Sequence, residues 1–351
     1  MIDRHEALFA VVPDERQLRL DTEVFLASDL GPADALVQAE TTVISAGTEL
    51  AIYTALAPGV RRPGNWNAYP WRPGYGLVGR VLEAGANVPG AQTNDRVFCF
   101  GRHASLQMYD TSAVNPPGGI FRLDEDISAT TAVMLRIGLI AMTALQVCRI
   151  TPGDTVAVFG LGLVGNMAAQ LFQAAGARVI GLDPVVTRCG LARDVGVETV
   201  IDVPQAEQAA ALQDWTGGAG VQIAVDAVGH SSVIETCVKS CATHGQVVLL
   251  GSPRAEVQGD LTSTFQAVHN RWISVLGALE WRLPLYRGNG IPHSTESNLS
   301  LLVDFVRRGT LNVEPLITQI ISPRRLGEAY EGLLTDQSNY MGVVVDWRGD
   351  P

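Results

Sequence analysis

Through the first third of the chain, apolar and polar positions alternate in short runs set off by Gly, Pro and Asn. Residues 35–39, 76–82 and 95–100 read as strands, and such a series predicts a compact, partly open β domain. The texture changes near Ser128. Residues 129–147 are apolar and almost free of breakers, which predicts one long helix ending before Thr151-Pro152-Gly153-Asp154. Beyond it, strand patterns at 155–159, 178–182, 199–202, 221–226 and 246–250 alternate with helical patterns at 164–175, 189–195 and 232–240. That alternation predicts a parallel, doubly wound sheet. A last sheet strand at 272–279 is followed by a polar loop at 282–296, a helix at 299–308 and a strand at 317–321. A helix at 326–334 and a closing β run at 341–347 complete the chain, with no internal repeat and no low-complexity tract.

Composition narrows this picture. A chain of 351 residues, 47% hydrophobic and 17% charged, is too long for one compact core and suits two packed domains. A net charge of −11 repels phosphate backbones and anionic lipid, so neither nucleic acid nor a membrane is an expected partner. The polar start Met1-Ile2-Asp3-Arg4-His5-Glu6 does not read as a secretory leader, and the apolar stretches are interrupted by Gly, Arg or Asp. Five scattered cysteines argue against a closed disulfide framework, and a cytoplasmic location is expected. The helical spacing of Cys237 and Cys241 reads as a buried structural pair and not a metal site.

The strongest chemical signal is Val156-Ala157-Val158-Phe159-Gly160-Leu161-Gly162-Leu163-Val164-Gly165, a buried strand running into Gly-x-Gly-x-x-Gly and a helix. Gly160 makes the tight turn, Gly162 lets backbone approach a pyrophosphate, and Gly165 lets helix and strand pack closely. The N–H groups opening the helix, at Leu163 and Val164, face the phosphates. Eighteen residues past Gly165, at the end of the next strand pattern, Asp183 stands where an acid bonds the adenosine ribose hydroxyls. It would repel a 2′-phosphate, which favours NAD over NADP; the other reading is a helix cap. Arg188 can flank the adenosine or accommodate a 2′-phosphate. Ala227, Val228, Gly251 and Ser252, in turns after later strands, complete the candidate cofactor set.

With these residues in view the whole chain resembles the medium-chain dehydrogenase/reductases. Ile44-Ser45-Ala46-Gly47-Thr48-Glu49 resembles the Cys-Gly-Thr/Ser-Asp segment of the zinc alcohol dehydrogenases. Arg72-Pro73-Gly74-Tyr75-Gly76-Leu77-Val78-Gly79-Arg80-Val81 resembles their Pro-Gly-His-Glu-x-x-Gly-x-Val, and 314–318 with 342–345 resemble their closing segment. The resemblance implies an α/β protein, a GroES-like β-rich catalytic domain over 1–137, a Rossmann domain over 138–290 and a C-terminal return over 291–351. It also implies a homodimer paired through the 272–279 strand. Several motifs, Val-Phe-Cys-Phe-Gly-Arg-His-Ala-Ser among them, are similar to the subgroup containing the bacteriochlorophyllide a hydroxyethyl dehydrogenases.

The departures concern zinc. Its first ligand position in the resemblance is Ala46, its second is Tyr75 in place of His, and its third falls near Ile137. Gly76 replaces the adjacent acid, and the four-cysteine lobe is reduced to Cys99. Catalytic zinc needs three protein donors, so no zinc is expected. Without the metal a side chain must handle the hydroxyl proton, and the candidates are Ser45, Thr48, Tyr75 and His103. Thr48 matches the family's hydroxyl that bonds the substrate oxygen, but the His that often completes its relay corresponds to Ala51. Tyr75 is read either as a group that polarises a carbonyl or as a filler of the vacated ligand space. His103 is read either as a titrating group or as an ordinary exposed or capping His. Glu49 is expected to pair with arginine or backbone groups. The aromatic and arginine-rich loops at 61–72 and 280–287 are read as specificity loops or as anchored surface.

The resulting expectation is a zinc-independent oxidoreductase that interconverts a secondary alcohol and a ketone on a medium-sized small-molecule substrate, cyclic or sugar-like. The alternatives are a reductase of conjugated C=C bonds, an enzyme that retains NAD for epimerisation or elimination, and a non-catalytic dinucleotide-binding protein.

Overall fold

The structure, a computed structural model, describes residues 4–114, 117–288, 290 and 292–349. Residues 289 and 291 of the expected polar loop, the second of them at the expected 290/291 junction, lie outside the described residues, as do residues 1–3 of the polar start.

The chain order is β1 (Arg4–Val11), β2 (Arg19–Leu26), β3 (Asp34–Val43), α1 (Ala46–Tyr53), β4 (Leu77–Ala84), β5 (Arg96–Cys99), β6 (Leu106–Asp110), β7 (Ile120–Arg122) and α2 (Ala129–Val147). It continues with β8 (Thr155–Phe159), α3 (Leu163–Ala174), β9 (Arg178–Leu182), α4 (Val186–Asp194), β10 (Thr199–Ile201), α5 (Gln205–Trp215), β11 (Val221–Asp226), α6 (Ser231–Ser240) and β12 (Cys241–Leu249). The last elements are α7 (Leu261–Arg271), β13 (Ser274–Gly277), α8 (Thr295–Arg307), β14 (Ile317–Ile321), α9 (Leu326–Thr335) and β15 (Gly342–Asp346).

Two compact units result. The first holds residues 1–136, 283–303 and 317–351; the second holds 137–282 and 304–316. The sequence reading divides the chain at 137/138 and begins the return at 291, whereas here the return begins at 283 and 304–316 rejoin the second unit. Composition marks a change of texture well but not a crossing point inside a continuous helix.

Among the described residues of the first unit, a sheet runs in the order β14-β15-β3-β4-β5-β7, with β6 also paired to β3, and β1 pairs with β2. Strand β15 lies antiparallel to β3, so the closing β run completes the sheet begun near the start of the chain. In the second unit the order is β10-β9-β8-β11-β12-β13, all parallel. All five residues of β8 are buried, as expected of a central parallel strand covered on both faces.

Helix α2 is long and apolar enough to cross a membrane by length and composition alone, but 72% of that window is buried within the protein, as in a core helix. The cysteines are free thiols, and burial pushes Cys241 up to about 12, which keeps it inert. Helices α1, α5 and α7 have no counterpart in the pattern reading. Helix α7 carries a short apolar stripe, Leu261, Phe265 and Val268, spread among polar residues, which the pattern reading passed over.

Candidate active site

Each unit carries part of the candidate chemistry. In the second, β8 delivers the chain to Gly160 at φ 90°, a left-handed conformation in which the N–H donates to the Leu182 carbonyl at 2.7 Å. A Cβ on Gly165 would lie 1.8 Å from the Gly160 carbonyl oxygen, so only glycine allows α3 to start so close to β8. Gly162 differs: a Cβ there would meet nothing within 4 Å. It also precedes α3 without any side-chain cap. Open space in front of uncapped helix N–H groups is the cradle a pyrophosphate requires.

Asp183, at the end of β9, is buried. Its Oδ2 accepts from the Leu161 N–H at 2.7 Å and its Oδ1 from the Val185 N–H at 2.8 Å, while Arg188 Nη1 lies 3.7 Å from Oδ2. Asp183 therefore braces the glycine loop, and each carboxylate oxygen keeps a second lone pair for a ribose hydroxyl. Ala227 and Val228 border the same loop: a Cβ on Gly160 would meet Val228 at 2.6 Å, and one on Gly165 would meet Ala227 at 3.0 Å. Gly251 and Ser252 pack against Gly229 in the neighbouring turn. The sequence-expected cofactor residues are thus brought together.

Asp226, which the sequence reading passed over, holds the 227–229 turn. Its Oδ1 accepts from Val228 and Gly229 at 2.9 and 3.0 Å, and burial raises its pKa. An acid ending a buried strand just before the turn was the available signal.

In the first unit, Ser45 precedes α1 and its hydroxyl shares a short hydrogen bond with the hydroxyl of Tyr75. Thr48 lies in the first turn of α1 and is half-buried, like Tyr75. Glu49, one residue on, is fully buried at the centre of a polar network. Its Oε1 accepts from the Ser45 N–H at 2.7 Å, and its Oε2 accepts from Tyr330 of α9 and faces His103 Nε2 at 3.0 Å. His103 Nδ1 lies 2.7 Å from Thr42 Oγ, which accepts from Trp347 Nε1 at 3.0 Å. A carboxylate can only accept. His103 Nε2 therefore donates to Glu49, as Trp347 Nε1 donates to Thr42. Burial works against ionised Glu49, but His103, Tyr330 and the Ser45 N–H outweigh it and hold the carboxyl below its usual value. The same burial and the Glu49 charge push Tyr330 well above the ordinary phenol range.

His103 is accordingly neither exposed nor a cap. Both ring nitrogens are engaged and the side chain is wholly buried, so it orients Glu49 and does not face a substrate. Gly74, at φ 94°, lets this happen: a Cβ there would meet the His103 backbone nitrogen at 2.5 Å.

The zinc positions of the resemblance hold no donor set. Ala46 and Ile137 offer hydrocarbon, and the Tyr75 hydroxyl is bonded to Ser45. Beside the third position, Arg136 Nε donates to the Tyr75 carbonyl at 3.0 Å. Among the described residues no three His, Cys, Asp or Glu side chains cluster as a metal site would require.

Much of the two aromatic and arginine-rich loops is spent on structure. Arg61 pairs with Asp14 and Glu15, Arg72 pairs with Glu23 and stacks on Phe9, and Tyr286 packs against Phe121. Arg62 and Trp66 remain exposed.

Known proteins resemble this chain in sequence and in fold. Residues 164–283 match the sequence family described as zinc-binding dehydrogenase. The D-guloside 3-dehydrogenase of Escherichia coli K12 is 24% identical over 320 residues, covering 85% of this chain and 89% of that protein. An Escherichia coli oxidoreductase/dehydrogenase of unknown specificity superposes with a TM-score of 0.80 at 15% identity, covering 97% of this chain and 99% of the other. An alcohol dehydrogenase from Escherichia coli CFT073, solved with NADH, gives a TM-score of 0.75 at 18% identity over 97% and 99% of the two chains. The likeness in fold extends over nearly the full chain.

Proposed function

We propose that this chain, an NAD(P)-dependent dehydrogenase/reductase of the alcohol dehydrogenase-like superfamily, interconverts a secondary alcohol and a ketone without a catalytic zinc. The observation that carries the proposal is the hydrogen-bonded hydroxyl pair of Tyr75 and Ser45, which is suited to moving a proton and includes the residue that the resemblance aligns with a metal ligand. The glycine loop would hold the pyrophosphate of the cofactor, whose nicotinamide would supply hydride for the ketone's carbonyl carbon or accept it from the alcohol's carbinol carbon. The chain's own residues handle the rest. In ketone reduction the Tyr75 hydroxyl gives its proton to the substrate oxygen and is reprotonated through Ser45; in oxidation the same pair takes the proton away. Thr48 offers a further hydroxyl to the substrate oxygen. The 24%-identical relative is named for oxidation of a guloside, which supports a cyclic, sugar-like substrate of medium size.

Asp183 favours NADH over NADPH, because a ribose 2′-phosphate would bring negative charge against a buried carboxylate. A second reading has one observation in its favour: Arg188, beside Asp183, can receive a 2′-phosphate, as in a reductase of conjugated C=C bonds. Titrating chelator-treated protein with NADH and NADPH, followed by a screen of cyclic alcohols and ketones, separates the two. Tight NADH binding and chelator-resistant turnover support the proposal. Preferred NADPH binding transfers it to C=C reduction, and activity that returns only with added zinc overturns the metal-free mechanism.

The dimer belongs to the same reading. Strand β13 ends the sheet among the described residues, and Val275 and the neighbouring Trp272 and Leu279 are exposed there, a row of unpaired backbone and apolar side chains that a second copy would cover.

A further inference from the structure

Arg136 has no part in the chemistry described so far. It lies within the apolar helix α2 and is only 1% exposed, a position a permanently charged side chain occupies only with compensation. Its Nε bond to the Tyr75 carbonyl fixes the angle of its head. The guanidinium carbon then sits 4.4 Å from the centre of the Tyr75 ring and 5.2 Å from that of Phe100. Gly76 makes the path: a Cβ there would meet Arg136 Cγ at 2.7 Å and Cβ at 2.8 Å. Gly76, Phe100 and Arg136 therefore serve one arrangement, a charged plane laid on a phenol whose hydroxyl is bonded to Ser45.

We propose that Arg136 is a positioning residue for the reaction, its stacked guanidinium supplying the fixed positive charge that makes the Tyr75 hydroxyl the proton donor. This rests on the reading of Tyr75 as that donor. When the substrate oxygen takes the Tyr75 proton, the electron pair of the broken O–H bond stays on the phenolate oxygen, and a proton from water returns through Ser45. Attraction between a cation and the ring face strengthens as the ring gains negative charge, and arginine keeps its proton throughout the working range. The arginine thus favours the phenolate over the phenol.

Four further side chains bear on Tyr75, directly or through Glu49. Ser45, ahead of α1, shares its proton. Glu49 of α1 opposes the phenolate, but its charge is engaged by Ser45, Tyr330 and His103. His103, in the segment after β5, and Tyr330, on α9, both point their polar atoms at Glu49. Arg136 is the cation laid on the ring itself.

The test titrates the full chain and its Tyr75→Phe variant by the ultraviolet signal of tyrosinate, the difference reporting Tyr75 alone. The same difference is then taken in Arg136→Met. The expected result is a Tyr75 midpoint about one unit lower, or tenfold in ionisation constant, with the arginine than without it, and partial recovery in Arg136→Lys. The high-pH limb of kcat/KM should move by the same amount while KM changes little. An unchanged Tyr75 midpoint in folded Arg136→Met overturns the proposal. Should that variant not fold, Arg136→Gln, which keeps a donor for the Tyr75 carbonyl and removes the charge, carries the same expectation. Full turnover in Tyr75→Phe would instead overturn the reading of Tyr75 as donor, while the midpoint shift still decides the coupling.

Discussion

In the second unit the polar groups around the glycine loop are held mainly by backbone. Asp183 and Asp226 each accept two main-chain N–H groups at the ends of the two parallel strands that flank β8; three of those donors lie within three positions of the acid, and the fourth, Leu161, is in the glycine loop itself. In the first unit the polar groups are held by one another. Thr42, Glu49, His103, Tyr330 and Trp347 come from five separate segments and meet around one buried carboxylate. The first arrangement tolerates loss of a side chain because the turns are shaped by glycine and strand geometry. The second does not, since deleting one member leaves a buried polar partner unsatisfied.

The largest expected effect follows from that contrast. Glu49→Leu leaves His103 and Tyr330 facing hydrocarbon and should cost about 3–5 kcal/mol in chemical denaturation; a loss comparable to a surface substitution would refute the account of the network. The pH dependence sharpens it. The Glu49 carboxyl is held below its ordinary 4.5. Its stabilising contribution is therefore complete above that value and lost as pH falls through the lower folded value. Acid should destabilise the native chain more steeply in that range than Glu49→Gln, and parallel pH–stability curves would count against the pairing.

Smaller effects are expected in the second unit, and on binding in place of stability. Asp183→Ala should weaken NADH by about 10–100-fold, the worth of a charged hydrogen bond, and narrow the gap to NADPH as Arg188 is released. Gly162→Ala should leave the melting temperature unchanged, because its Cβ meets nothing within the protein, while reducing NADH affinity by about tenfold through intrusion on the phosphate cradle. A lowered melting temperature with full affinity would reverse that interpretation. The smallest effect on the protomer is at β13. Val275→Lys should change its stability by less than about 0.5 kcal/mol yet shift light-scattering mass from dimer to monomer; a wild-type chain already monomeric removes the proposed interface.

How much of this was legible follows the same division. The helix at 129–147 and the strands at 155–159, 178–182 and 221–226 coincide with the observed elements, because each is a run of buried apolar residues bounded by breakers. The bond from Arg136 to the Tyr75 carbonyl was not legible, since which side of α2 meets Tyr75 depends on packing. Glu49, expected to pair with arginine or backbone groups, does accept from the Ser45 N–H, but its His103 and Tyr330 partners could not be read, because they stand 54 and 281 residues away along the chain.

The sequence by itself determined the alternation of strands and helices, the glycine turn with an acid at the end of the next strand, and which residue types stand at the positions where the resemblance puts zinc ligands. These are properties of local backbone geometry and of side-chain chemistry, and both are written in adjacent residues. Only the tertiary structure decided that His103 is buried against Glu49, that Gly76 opens a path for Arg136, and that this guanidinium lies on the ring of Tyr75. Those facts depend on which distant segments desolvate one another, and no local pattern carries that information.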